Sequence, residues 1–159
     1  MQRLLFIITF LFAMNIAYAV TASPQSCTPV TFQVENNDIV LTNPLTQRKV
    51  SQAYFITNKS SQSIFIEHPT ANPGASAGWS SYLRPGNWSA LVLNKKSFAI
   101  HCAMIQPGKV IPLDCSKTIT VCAPKNLTTK TAFKGNYWLA EDKNWEGFVK
   151  ALAKRGVGF

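Results

Sequence analysis

Four cysteines, Cys27, Cys102, Cys115 and Cys122, constrain this chain more than any other feature. An even count with no C-x-x-C pair reads as two disulfides made in an oxidising compartment. Zinc does not fit, because intervals of twelve and six residues between the last three cysteines match no common finger. Four cysteines allow three connectivities. Gln106-Pro107-Gly108-Lys109 is a turn signal with apolar residues on both sides, and folding the chain back between Gly108 and Lys109 sets Cys102 opposite Cys115. The expected bridges are therefore Cys102 to Cys115 and Cys27 to Cys122.

The N-terminus agrees with export. A basic start at Arg3, an apolar run from Leu4 to Met14 and the small residues of Ala17-Tyr18-Ala19 predict a signal peptide over residues 1–19, cleaved after Ala19. A bilayer span needs about 20 consecutive apolar residues. This run is shorter and no later stretch is apolar enough, so no transmembrane span is expected after cleavage and the localisation expected is periplasmic or secreted. Cys27 follows Ser23-Pro24-Gln25-Ser26, which lacks the leucine and small residues of a lipidation signal. Residues 20–159 then make one disulfide-stapled domain. Without Arg3 the 16 basic side chains become 15 against seven acids, a formal charge of +8. The basic residues are scattered, with doublets only at Arg48-Lys49, Lys95-Lys96 and Lys154-Arg155. A nucleic-acid partner gathers its cations on one face or arm, so none is expected; attraction to anionic envelope or host surfaces remains open.

Short apolar runs separated by turn clusters fill most of the mature chain. Val30 to Val34, Asp38 to Thr42, Ala53 to Thr57, Ser63 to Glu67, Trp88 to Leu93, Phe98 to Ile105, Val110 to Leu113 and Thr118 to Cys122 read as strands, and Asn58 to Ser61 as a hairpin turn. Turns at this spacing predict a mainly β fold, an immunoglobulin-like β-sandwich with a short C-terminal α-helix. After a last strand at Tyr137 to Ala140, Trp145, Phe148, Val149 and Leu152 fall on one helical face, predicting a helix over about 142–155. Asp142 is its expected cap, Glu146 to Lys150 a favourable i,i+4 pair and Gly156 its stop. The apolar stripe is expected to dock on the domain's own core rather than on a membrane.

Gly74-Ala75-Ser76-Ala77-Gly78 spells the G-x-S-x-G of a serine hydrolase. That motif needs a strand before the serine and a helix after it, with an acid and then a histidine later in the chain. Pro69 and Pro73 precede Ser76, Pro85 and Gly86 follow, and no acid lies between Ser76 and His101, the one later histidine. No catalytic residue is nominated, and the chain is not expected to be an enzyme. His68, His101, Cys102 and Met104 are residue types of a blue-copper site, but their order is not the Cys, His, Met of a cupredoxin loop. No metal or cofactor is expected. Among the seven acids, Glu35, Asp38, Glu67, Asp114, Glu141, Asp142 and Glu146, none stands out as a general acid or base with a partner.

Leu83-Arg84-Pro85-Gly86-Asn87 is a turn in which Pro presets φ at the first corner and Gly accepts positive φ at the second. On the strand after it, Trp88, Ala90 and Val92 share one face and Ser89, Leu91 and Leu93 the other. Trp79, Tyr82 and Arg84 around this turn are the candidate partner contacts.

The leader, AYFITNKSSQSIFI (53–66), GWSSYLRPGNWSAL (78–91), the paired-cysteine strands and NYWLAED (136–142) together give the chain its likeness. It resembles the enhanced entry protein B group, small exported proteins of Legionella-like intracellular bacteria. The resemblance implies an exported factor associated with host-cell entry and carries over no enzymatic residues. The expectation is a non-enzymatic binding or structural module whose partner is a protein or an envelope or host-surface ligand. The alternative is a periplasmic chaperone-like or inhibitor-like module presenting a sheet edge or loops to a partner protein.

Overall fold

A computed structural model describes residues 27–44, 52–68, 80–93, 95–125, 128–129 and 137–158. The expected signal peptide over residues 1–19, the Gly74 to Gly78 motif with Ser76, and Trp79 lie outside the described residues. Strands β1 (Cys27–Pro29), β4 (Gln52–Asn58), β7 (Trp88–Leu93), β10 (Ile119–Pro124) and β12 (Tyr137–Lys143) form a first sheet in the order β1-β10-β4-β7-β12. The second sheet runs β2 (Gln33–Glu35), β3 (Asp38–Thr42), β8 (Ser97–Gln106), β5 (Ile64–Glu67), β6 (Ser80–Leu83), with β9 (Lys109–Leu113) also paired to β8. All these pairings are antiparallel. The remaining elements are α1 (Cys115–Thr118), α2 (Trp145–Lys154) and the short pair β11 (Thr128–Thr129) with β13 (Val157–Gly158). The fold is thus mainly β, with two antiparallel sheets in a sandwich-like arrangement and a short C-terminal helix.

Period-two alternation decides what lies between the sheets. Tyr54, Ile56, Leu91, Leu93 and Val121 of the first sheet meet Ile39, Leu41, Ile64, Ile66, Leu83, Phe98 and Ile100 of the second in one core. Burial of each such aliphatic side chain contributes about 1.5–3 kcal/mol. Polar bonds tie the layers as well: Ser81 and Ser89 share a hydroxyl hydrogen bond of 2.9 Å, and the Tyr54 hydroxyl donates to the Thr42 carbonyl. Burial pushes the Tyr54 phenol up from its ordinary pKa.

The first sheet is covered on its other face too. Phe55, Trp88, Ala90 and Cys122 point away from the main core and pack with Phe148 and Leu152 of α2 and Val157, with half-buried Trp145 against them. Phe55 and Phe148 meet edge to face with ring centroids 5.2 Å apart, and Trp88 and Trp145 do so at 5.0 Å, the arrangement aromatic quadrupoles favour. The expected face division of Trp88 to Leu93 is present, and the helical stripe docks through Trp145, Phe148 and Leu152, while Val149 is half-buried outside the cluster. The helix starts later than expected: its cap is Asn144, whose side chain accepts from the Gly147 N–H at 3.0 Å. Asp142 instead sits in β12 with φ of 37°.

Both expected disulfides form, Cys27 to Cys122 and Cys102 to Cys115, one in each apolar cluster. The register behind the second bridge differs from the expectation. Gln106 pairs with Lys109, so the fold-back falls between Pro107 and Gly108, and Leu113 lies opposite Cys102. Cys115 is two residues beyond, where α1 turns it back toward β8. Asp114 caps that turn, accepting from the Ser116 N–H and hydroxyl at 3.0 and 2.6 Å. The Ser116 hydroxyl, and then Lys117, hold its carboxyl below its ordinary pKa.

Two further expectations change. Val30 to Val34 is not one strand: β1 belongs to the first sheet and β2 to the second, with Val30 to Phe32 crossing between them. Asn58 to Ser61 is not a hairpin turn, because β4 and β5 lie in different sheets. The reason is the Asn58 side chain, 1% exposed. Its amide donates to the Gln62 and Leu83 carbonyls at 2.7 and 2.9 Å, and its oxygen accepts from the Ser60 N–H and hydroxyl at 2.9 and 2.7 Å. The Gly86 N–H reaches the Asn58 carbonyl at 2.8 Å. One asparagine thereby joins two of the turns that carry the chain across the sandwich, at 58–63 and at 84–87.

Asn58→Ala strands the buried Leu83 carbonyl and is expected to cost about 1–3 kcal/mol, against a smaller loss for Ser60→Ala. Urea denaturation of both variants checks this, and equal midpoints would refute the role given to Asn58. For the helix, Phe148→Ala should cost about 3–5 kcal/mol. Lys150→Ala, which removes one arm of an exposed pair, should shift stability by less than about 1 kcal/mol. An unchanged melting point for Phe148→Ala would contradict docking of α2.

Candidate functional site

The outer face of the second sheet carries large exposed apolar side chains. Pairing in register lays its residues out in rows. Tyr82 lies opposite Phe65, Phe65 opposite Ala103 and Ala103 opposite Pro112, so one apolar row crosses β6, β5, β8 and β9. Two residues further along β8, Ile105 pairs with Val110 on the same face. Tyr82, Ile105 and Val110 are 52%, 53% and 62% exposed, three of the four large hydrophobic residues most open to solvent among those described. The arm that carries the last two extends past the end of the β5 pairing at Ala103. Its tip turns at Pro107-Gly108, where Gly108 has φ of 71°, a backbone angle L side chains resist.

A charged row borders this apolar one. Glu35 pairs with Asp38, the Asp38 carboxylate holds the His101 Nδ1 at 2.7 Å, His101 pairs with Glu67 and Glu67 with Ser80. An imidazole held by a carboxylate is the base-and-orienter pair of acid-base chemistry. Here the register places Glu67 across from His101, and alternation puts Ala99 and Ala103 beside it on β8, so the surroundings are carboxylate and methyl groups. Beyond the row, an open cleft of about 900 Å³ is lined by Gln33, Glu35, Val40, Thr42, His68 and Phe98 among others.

The copper-type residues are not brought together. His68 stacks on Phe98 with centroids 4.4 Å apart and sets its Nδ1 at 2.8 Å from the Ala99 carbonyl. His101 is held by Asp38, and Cys102 is bonded to Cys115. Among the described residues no three His, Cys, Asp or Glu side chains converge as metal ligands.

Of the three candidate partner contacts, Tyr82 lies in the apolar row. Arg84 lies at the edge of the same sheet and is engaged within the molecule. Its backbone N–H donates to Asp142 Oδ1 at 2.7 Å and its Nε to Oδ2 at 3.0 Å, while the Asn87 amide donates to Asp142 Oδ1 at 2.9 Å. These donors hold Asp142 in the left-handed backbone region, where a side chain costs about 1–2 kcal/mol. The expected turn geometry at Arg84 to Asn87 is present, with Gly86 at φ of 71° and the Asn87 N–H on the Arg84 carbonyl at 3.0 Å.

Sequence reading missed Phe65, Ile105, Val110 and Pro112 as members of one surface, and Asp38 as the partner of His101. Period-two alternation of SIFIE and FAIHCAMI held the signal, since it sends Phe65, Glu67, His101, Ala103 and Ile105 outward. No helix among the described residues is long and apolar enough to cross a membrane. Compared with protein-family models, with curated proteins and with solved structures, the chain matches none.

Proposed function

We propose that this chain is an exported, non-enzymatic binding or structural module of the enhanced entry type, periplasmic or secreted, acting at the cell envelope or host interface in host-cell entry. One observation carries the reading: the exposed apolar surface of Tyr82, Phe65, Pro112, Ile105 and Val110, bordered by the Glu35, Asp38, His101 and Glu67 row. An apolar patch with a polar rim is the pattern of a protein-contact surface. Two disulfides suit an oxidising compartment. On the β9 side the face is favoured over the edge, because Pro112 has no N–H to offer a further strand.

The test is site-specific photo-crosslinking in envelope fractions and infected host cells, with the crosslinker at Tyr82 or Val110 and, as a remote control, at Lys117. Discrete adducts are expected from the first two positions and not from the third. Ile105→Asp should weaken capture at least about tenfold, since central interface residues carry 1 kcal/mol or more. Equal adducts from Lys117, or none from Tyr82 and Val110, would refute the reading.

A further inference from the structure

A second surface lies on the far side of the sandwich, where β12 meets α2, and it is independent of the apolar face. The β12 pairing shifts register between Leu139 and Lys143. Within that irregularity Asp142 turns toward the Arg84 turn, whereas Glu141 and Lys143 line a cleft against α2. The cleft measures about 420 Å³ and is lined by Glu141, Lys143, Gly147, Lys150, Lys154 and Arg155, with Ala151. Four cations thus surround one carboxylate.

The arrangement is held from below. The Glu141 side chain is 8% exposed and lies 2.7 Å from Arg155 Nη2 and 3.6 Å from Lys143 Nζ. The Arg155 contact is an ion pair without hydrogen-bond alignment. A buried carboxylate needs such compensation, and in meeting that need it fixes two of the cations at the cleft. Helical spacing adds the others, because Gly147, Lys150 and Lys154 succeed one another at i, i+3 and i+7 on one side of α2. Gly147 closes the arrangement: a Cβ there would sit 3.3 Å from the Lys143 Cβ and 3.2 Å from Asn144 Oδ1, so the bare backbone lets the Lys143 stem lie against the helix. Lys150 is paired with Glu146 at 2.6 Å on the exposed side, while Lys154 pairs with no carboxylate among the described residues.

We propose that this cleft binds a tetrahedral oxyanion, a phosphate or sulfate monoester on a small carrier group, through Lys143, Lys150, Lys154 and Arg155. Oxyanions of this kind accept several charge-assisted hydrogen bonds at once, and guanidinium with ammonium groups supplies them. The volume suffices for a group the size of a headgroup or a single sugar.

Amide NMR shifts of the ¹⁵N-labelled mature protein, titrated at low ionic strength with inorganic phosphate, inorganic sulfate, glycerol phosphate and a sulfate ester of glucosamine, test this. Saturable shifts are expected at Lys143, Gly147, Lys150, Lys154 and Arg155, and whichever ester binds more tightly than its free anion identifies the carrier. Lys150→Gln combined with Lys154→Gln, both exposed and expected to leave melting unchanged, should weaken binding tenfold or more, whereas Lys117→Gln should not alter it. Shifts spread evenly over Lys59, Lys95 and Lys117 would overturn the proposal in favour of diffuse charge attraction. Binding to vesicles of anionic lipid with no response to any of the four small anions would overturn it in favour of a membrane-facing surface.

Discussion

All six side chains of β7 are buried, and the rest of the molecule is arranged to make that tolerable. A strand in a two-layer sandwich ordinarily hides one face and wets the other. Here Leu91 and Leu93 enter the space between the sheets while Trp88 and Ala90 need a second cover. The chain supplies it by returning to the first sheet as β12 and running directly into α2, which brings Phe148 and Leu152 onto Trp88 and Phe55. The Asp142 contacts with Arg84 and Asn87 fix where β12 ends and the chain passes into α2. Among the described residues, only one of the two outer faces receives such a cover. Tyr82, Ile105 and Val110 remain in solvent on the other.

Much of this architecture was legible because local chemistry and tertiary placement agree. The Pro-Gly corners at 85–86 and 107–108, the alternation of the strands and the helical stripe of Trp145, Phe148 and Leu152 all follow from neighbouring residues, whereas the Cys102 to Cys115 bridge forms as expected but through α1 rather than directly across the hairpin ladder. Legibility failed where identical local cues serve different long-range outcomes. Asn58-Lys59-Ser60-Ser61 has the composition of a hairpin turn, and only the burial of Asn58 against the Leu83 carbonyl makes it a crossing between sheets. In the same way Asp142 has the composition of a helix cap, but Arg84 lies 58 residues away in sequence and claims its carboxylate.

The candidate surfaces divide along the same line. Tyr82 was recognisable as an aromatic beside a turn. Its companions Phe65, Ile105 and Pro112 were not, because membership in a row depends on the register of four strands, which no single segment encodes. The basic cleft was still less visible: Lys143, Lys150, Lys154 and Arg155 look like scattered surface charge until the β12 irregularity turns Lys143 and Glu141 to the helix side. Scattered cations along a chain do not imply scattered cations in space.

The Cys102 to Cys115 bridge lies at the base of the arm that presents Ile105 and Val110, in the main core. Its consequence is mechanical. A hairpin whose open ends are pulled apart ordinarily unzips, one ladder rung at a time, as each pair of backbone hydrogen bonds bears the load alone. Here peeling β9 from β8 stops at a covalent crosslink, and tension passes into β8, a strand flanked by β3 and β9 on one edge and β5 on the other. Force on the arm is therefore shared by the strands on both edges of β8 rather than borne by the β8–β9 ladder alone.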